Sequence, residues 1–396
     1  MRSYGKTPVT RKPTNFAIAG LGVTEMGRVY GKTASAFARE AVQLAIADAG
    51  LEIHDIDGLL INSPGDLNVF LQRGLGLRNT KLLAEYQAFG SSAGAMIQYA
   101  GMAIDAGMAD VVACVFADAP LKEGISAGAA YGARRPVLKG FPAIQMSAGY
   151  GGANPRYAMA ARRHMLKYGT TTEQFGAVAV QQRQWASMNP MAQFRDPITL
   201  EDHQSSRWIA DPLRLLDCCL VSNGGVAVIV TSADRAKTLR QPPVYVLGWG
   251  QAHPGMVQER GCRLGEVSGA VESGDRAFRM ASLSVTDVDV CQIYDCYTYT
   301  VIVSLEDYGF CEKGEGGPFV ESGVLGPGGS LPTNTGGGQL SAYYMWGMTP
   351  ISEAILQARG TAGERQVANH DVVLSSGNGG ILDYHCTLLL SPHETS

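Results

Sequence analysis

One ordered series of elements occurs twice in this chain, and that repetition limits the fold more than any other feature. Asp55-Ile56-Asp57-Gly58-Leu59-Leu60-Ile61 is echoed by Asp287-Val288-Asp289-Val290-Cys291-Gln292-Ile293. A glycine-opened helix then precedes an apolar strand in both places: Gly90 to Gly107 before Val111–Phe116, and Gly336 to about Ala358 before Asp371–Leu374. Ahead of each echo stands another strand and helix. In the first half these are Phe16–Val23 and a helix capped by Thr33 that runs to Ala49; in the second they are Val244–Gly248 and Gly274–Leu283. Short apolar strands alternating with helices build α/β layers with buried strands. Two such units on one plan predict a pseudo-symmetric pair of α/β halves, with a cleft between equivalent helix starts.

The stretch between the halves reads differently. It holds a Gly/Ala-rich segment over 124–153, a helix from Tyr157 to about Tyr168, and Thr170-Thr171-Thr172-Glu173 as a capping signal for a helix to about Met188. The expected division is therefore 1–117 with 218–241 as the N-terminal half, 118–217 as an inserted loop domain, and 242–396 as the C-terminal half.

Composition excludes several functions. With 396 residues, 45% hydrophobic, the chain can bury a large core. A net charge of −4 without a basic run argues against nucleic acid or an anionic membrane as the main partner. The mildly basic start, Met1 to Lys6, is followed by no signal-type apolar segment, and no apolar stretch reaches the length of a membrane span. Eight cysteines without a CxxC suggest neither a disulfide framework nor a zinc ribbon, so cytoplasmic residence is expected.

Several local patterns compete for a chemical reading. Gly20-Leu21-Gly22, followed only by Gly27, fails the dinucleotide fingerprint. Gly90-Ser91-Ser92-Ala93-Gly94 fits a nucleophile elbow, and Asp383 and His385 complete a triad in chain order, which keeps a hydrolase as an alternative. Cys218-Cys219 and Asp383-Tyr384-His385-Cys386 are poor metal ligand sets, because neighbours in a strand face opposite ways; no metal is expected. Tyr294, Tyr297 and Tyr299, like Tyr343, Tyr344 and Trp346, form aromatic runs of the kind that usually pack a core.

Specific segments change that balance. Ala161-Arg162-Arg163-His164-Met165, Arg195 to His203, Pro212 to Cys219, Tyr294-Asp295 and Leu331 to Leu340 resemble the thiolase superfamily, in the branch of the sterol-carrier-protein thiolases and, more closely, the steroid side-chain aldolases. The likeness covers nearly the whole chain and implies a five-layer αβαβα fold. In thiolases a cysteine at a helix start carries the acyl group, since helix-end amides favour the thiolate. Its place here is Gly90; the place of the histidine is Tyr344, and that of the Asn or His is Tyr294. The C-terminal cysteine motif has become Ser375-Ser376-Gly377-Asn378-Gly379-Gly380.

The resemblance implies a carbon–carbon lyase in place of an acyltransferase. Tyr294 and Tyr344 would act as acid and base in retro-aldol cleavage of a β-hydroxyacyl-CoA. Gly90, Ser91, Gly338, Gly379 and Gly380 would surround the thioester or its oxyanion, and Asp295 would join them, orienting the loop rather than acting as an acid. It also implies no cofactor beyond the CoA of the substrate, a homodimer, and a small partner subunit with an OB-fold and zinc ribbon. Asn223-Gly224 replaces an Asp-Gly pair and Trp346 replaces a His. These changes leave the acyl group open, from a steroid side chain to an aryl-hydroxyacyl thioester. A non-catalytic acyl-CoA-binding scaffold and a cofactor-independent acyltransferase are the alternatives.

Overall fold

The computed structural model describes residues 14–62, 67–132, 139–255 and 263–394. The basic start and part of the Gly/Ala-rich segment lie outside those residues. β1 (Phe16–Val23) leads to α1 (Ala34–Ala49). Thr33 caps this helix by accepting from Ala36 N at 3.2 Å, and left-handed Gly50 closes it. β2 (Gly58–Asn62), α2 (Leu71–Leu75), β3 (Leu82–Tyr86), α3 (Ser92–Asp105) and β4 (Val111–Asp118) follow. Next come α4 (Ala127–Gly132), α5 (Phe141–Ser147), α6 (Ala153–Tyr168), α7 (Thr172–Ser187), α8 (Leu200–Ser205) and the hairpin β5 (Trp208–Ala210) and β6 (Leu213–Arg214). β7 (Gly224–Ser232) and α9 (Ala233–Ala236) return to the first half. The second half is β8 (Val244–Ala252), α10 (Ala270–Ala281), β9 (Val290–Gln292), α11 (Thr298–Tyr308), α12 (Gly316–Glu321), α13 (Met348–Ala358), β10 (Val373–Gly379) and β11 (Tyr384–Ser391).

Nine strands form one sheet in the order β3-β2-β4-β7-β1-β8-β11-β10-β9. Its two wings repeat. β2 is parallel to β4, then β4, β7 and β1 run antiparallel; β9 is parallel to β10, then β10, β11 and β8 run antiparallel. The wings join where Ala17 and Ile18 pair with Tyr245 and Val244. β3 has a reduced counterpart, a parallel bridge between Cys291 and Thr333. α1 covers β1, β7 and β4, and α10 covers β8 and β11. α3 and α13 lie between, touching each other and strands of both wings. The result is a five-layer αβαβα fold of two related halves, continuous along the β1–β8 seam.

Strand glycines show why the outer helices lie so close. A Cβ on Gly20 or Gly22 of β1 would run into the carbonyls of Ala45 or Ala41 on α1. On β8, Gly248 and Gly250 meet the carbonyls of Ala277 and Ser273 on α10 in the same manner. These are packing glycines at equivalent places. Every residue of β4 and of β10 is buried, as expected for strands covered on both faces.

Several boundaries move from the sequence expectation. The capping box of α7 pairs Thr171 with Gln174, one residue later than expected, since adjacent threonines offer the same hydroxyl. α6 and α10 each begin four residues early, at Ala153 and Ala270. The strand expected over 287–293 shrinks to Val290–Gln292, because Val285–Asp287 forms a tight turn in which Asp287 accepts from Ser284 N at 2.7 Å. The helix expected after Gly336 starts only at Met348, behind a wide π-type turn over Gly338–Ala342.

Candidate active site

The two central helices start side by side. A Cβ on Gly347, just before α13, would overlap the carbonyl oxygen of Gly90, just before α3. Two tyrosines converge beside this junction. Past β9, Ile293 N donates to Asn334 Oδ1 at 2.7 Å, fixing the chain as it turns into Tyr294. From the other side, Tyr343 is extended and its hydroxyl bonds Ser352 Oγ at 2.7 Å. The next side chain, Tyr344, faces the other way. Tyr294 Oη and Tyr344 Oη lie 3.3 Å apart.

Gly90 makes room for this pair. A Cβ there would overlap ring carbons Cε2 and Cζ of Tyr294 and the carbonyl of Asn378. The space that a side chain at 90 would use is filled by the phenol ring.

The segment that carries Tyr344 is held from three directions. Asp295 accepts from Gln339 N through both carboxylate oxygens, at 3.0 and 2.9 Å, and from Leu340 N at 3.2 Å. Ser222 Oγ accepts from Tyr344 N at 3.0 Å and from Gln193 Nε2 at 2.6 Å. Gln193 N and Phe194 N donate to the carbonyls of Ala342 and Ser341, and Arg183 Nε donates to Ser341 Oγ at 2.8 Å. Ser222, Gln193 and Arg183 had no signal in the sequence, because a lone polar residue does not reveal a distant backbone partner.

Burial sets the protonation of the site. It pushes both phenols well above their ordinary range. For Tyr294 the Tyr344 hydroxyl works against that rise; for Tyr344 the neighbouring Tyr294 adds to it. Both are therefore neutral near pH 7. Burial also pushes the Asp295 carboxyl up to about 7, against the pull of its backbone donors.

The remaining candidates separate into distinct parts. Ser91 N–H and its hydroxyl both donate to Ala88 O, the hydroxyl at 2.9 Å. Ser92 N–H is spent on Phe89 O, so the turn ahead of α3 takes up amides that a bare helix start would present. The hydrolase triad is not assembled either. Ser92 Oγ accepts from Ala88 N at 2.7 Å, while His385 Nε2 bonds Tyr308 and Ser376. Asp295 is turned into the protein, where it lines a small cavity with Asn334 and Glu353 that includes neither phenol. Its acceptors are turned to the backbone of Gln339 and Leu340.

Gly338 has φ +60°, and a Cβ there would overlap Asp295 Oδ2. Gly379 lies against Ala88 O, and Gly380 accepts from Tyr157 Oη at 3.1 Å. All three have conformational or packing reasons to be glycine. Tyr299 bonds Gly265 O and Tyr297 bonds Asn154, so these two are tied away from the pair. Asn223 accepts from Leu121 N and donates to Val29 O and Leu121 O, a double donation that an aspartate lacks. Trp346 stacks on Phe116 at 5.0 Å with φ +48°. Among the described residues no group of three His, Cys, Asp or Glu side chains could hold a metal ion, and no helix is long and apolar enough to cross a membrane.

Known proteins share this architecture. Residues 250–392 match the family described as thiolase C-terminal domain-like. A steroid side-chain-cleaving aldolase of Thermomonospora curvata is 37% identical over 93% of this chain and 96% of its own length. A 17-hydroxy-3-oxo-4-pregnene-20-carboxyl-CoA lyase of Mycobacterium tuberculosis is also 37% identical, over 92% and 96%. The solved Ltp2-ChsH2(DUF35) aldolase superposes with a TM-score of 0.85 at 36% identity, covering 96% of this chain and 98% of that one. The chain thus belongs to the thiolase superfamily, in the branch that holds these aldolases.

Proposed function

We propose that this protein is a carbon–carbon lyase that cleaves a β-hydroxyacyl-CoA by a retro-aldol reaction, giving a ketone or aldehyde and a shorter acyl-CoA. The observation that carries the reading is the Tyr294–Tyr344 contact at 3.3 Å, beside a helix start that bears glycine at position 90. The reaction moves one proton from oxygen to carbon. One phenol takes the β-hydroxyl proton as the Cα–Cβ bond breaks and the carbonyl forms. The electron pair passes into the thioester enolate, and a phenol then protonates its α-carbon. Neutral, touching phenols suit such a relay, because one can pass on its proton as it receives another, so no isolated phenolate has to persist.

The thioester stabilises the carbanion itself, so the proposed reaction requires no cofactor beyond the CoA of the substrate. A steroid side-chain thioester is the substrate class that the two relatives' names favour, with related hydroxyacyl thioesters next. A homodimer and a small OB-fold, zinc-ribbon partner subunit belong to the same proposal; the name of the solved Ltp2-ChsH2(DUF35) aldolase joins two components, which supports a two-subunit enzyme. Cytoplasmic residence is proposed with them.

The test is co-expression with a small OB-fold protein, followed by assay of β-hydroxyacyl-CoA thioesters for both products. Stoichiometric release of carbonyl and shortened acyl-CoA is expected. A stable acyl adduct on Ser91, Ser92 or a cysteine, seen by mass spectrometry, would instead establish an acyltransferase. Binding of thioesters without turnover would leave a scaffold.

A further inference from the structure

We infer that Asp295 is a positioning residue for this reaction, setting the Tyr294–Tyr344 separation by fastening the turn that carries Tyr344 to the segment that carries Tyr294. The inference rests on the retro-aldol reading and assigns a part that reading leaves empty. Asp295 follows Tyr294 directly in the chain, so backbone geometry couples its carboxylate to that ring. The carboxylate spans the start of the turn with three bonds, to Gln339 N at 3.0 and 2.9 Å and to Leu340 N at 3.2 Å. The far end of the same segment is pinned by the Ser222 bond to Tyr344 N at 3.0 Å. Asp295 and Ser222 therefore bracket the residues from 339 to 344, and the phenol leaves the bracket towards Tyr294.

Two further observations favour geometry as the reason for this carboxylate. Gly338 adopts φ +60° where a Cβ would overlap Asp295 Oδ2, so the close approach itself requires a glycine. Asp295 is 1% exposed and makes no ion pair among the described residues. A buried carboxyl without a cation is costly. Its only hydrogen-bond partners among the described residues are backbone amides, those of the turn foremost, and holding that turn is the use the structure gives it. Asparagine has nearly the same shape, but its NH2 would face backbone donors, donor against donor.

The experiment is a double-mutant cycle of Asp295→Asn and Tyr344→Phe on the complex with its partner subunit, reading kcat and KM for the cleaved thioester. Asp295→Asn is expected to lower kcat by about ten- to a hundredfold with KM within about threefold. In the Tyr344→Phe background it should change the residual rate by less than about threefold, because residues acting through one another are not additive. A merely structural role predicts equal losses in both backgrounds, and that result overturns the inference, as does a rise in KM alone. Absence of carbonyl and shortened acyl-CoA with the natural protein defeats the retro-aldol reading, whereas near-normal turnover of Tyr344→Phe removes that phenol from the relay and this role with it; both outcomes are visible apart from the cycle. If circular dichroism shows that Asp295→Asn does not fold, Asp295→Ser, which lacks the opposing NH2, enters the same cycle with the same expected non-additivity.

Discussion

The ring of Tyr294 occupies the volume that any side chain at Gly90 would need. Its Cε2 and Cζ atoms, together with the Asn378 carbonyl, surround the place a Cβ would take. Ring atoms and backbone yield little, so Gly90→Ala has to displace the phenol from its partner 3.3 Å away. Turnover of Gly90→Ala should fall at least about tenfold, with a stability loss of about 1–3 kcal/mol from overpacking. Gly90→Cys should fare no better and should not gain acyl transfer, because the returned thiol competes with the ring for one space. Steady-state assay, thermal melting and mass spectrometry check the three statements; full activity in Gly90→Ala contradicts the packing.

Loss of either phenol removes one proton carrier. Tyr294→Phe and Tyr344→Phe should each reduce kcat by about a hundredfold or more, the scale of a lost acid or base. The double variant should be little worse than the worse single variant, since the pair acts as a unit. Thermal melting should show folded protein in all three. Near-normal rates in both single variants would remove the assignment.

Aromatic neighbours provide the control. Tyr299 donates to Gly265 O at 2.7 Å and Tyr343 bonds Ser352 at 2.7 Å, so both hydroxyls are engaged outside the Tyr294–Tyr344 pair. Tyr299→Phe should cost about 1 kcal/mol of stability for the lost hydrogen bond and leave turnover within about twofold. A large loss of kcat in Tyr299→Phe, without a folding defect, would mean that proton transfer is not confined to the pair.

Much of the fold was legible because its signals are local. Thr33 and Gly50 bounded α1, and the echoed strands with their glycine-opened helices announced two related halves. The β1–β8 seam was not legible: it rests on Ala17 and Ile18 meeting Tyr245 and Val244, and edge pairing leaves no periodic trace. The equivalent glycines Gly20 with Gly22 and Gly248 with Gly250 did carry a readable sign of the repeat, in a strand where glycine otherwise weakens pairing. At the site, resemblance brought out Tyr294 and Tyr344, whereas aromatic spacing alone could not separate Tyr344 from Tyr343. Orienting a loop was legible for Asp295, but the turn it holds, and the task of Ser222, stayed hidden because their partners are backbone amides distant in sequence. The turn ahead of the helix, which points the Ser91 hydroxyl at Ala88 O, was not legible, since no residue type there dictates it.

The Asp295 carboxyl links the architecture of the site to pH. Burial pushes it up to about 7 in the folded protein, against 3.8 for an ordinary aspartate. Between those values the native state holds a proton that the unfolded chain has released, so this group's contribution falls as pH rises from about 4 to about 7. It is present in full below about pH 4 and gone above about pH 7. The size is on the order of 4 kcal/mol, spread over that window. Asp295→Asn lacks this titration, so its stability relative to the natural protein should improve steadily from about pH 4 to about pH 8, even though its turnover is reduced at every pH. Denaturant midpoints of both proteins measured across the window give the difference directly. A difference independent of pH would mean that Asp295 is already ionised at the acid end, held there by its amide donors more strongly than burial opposes it.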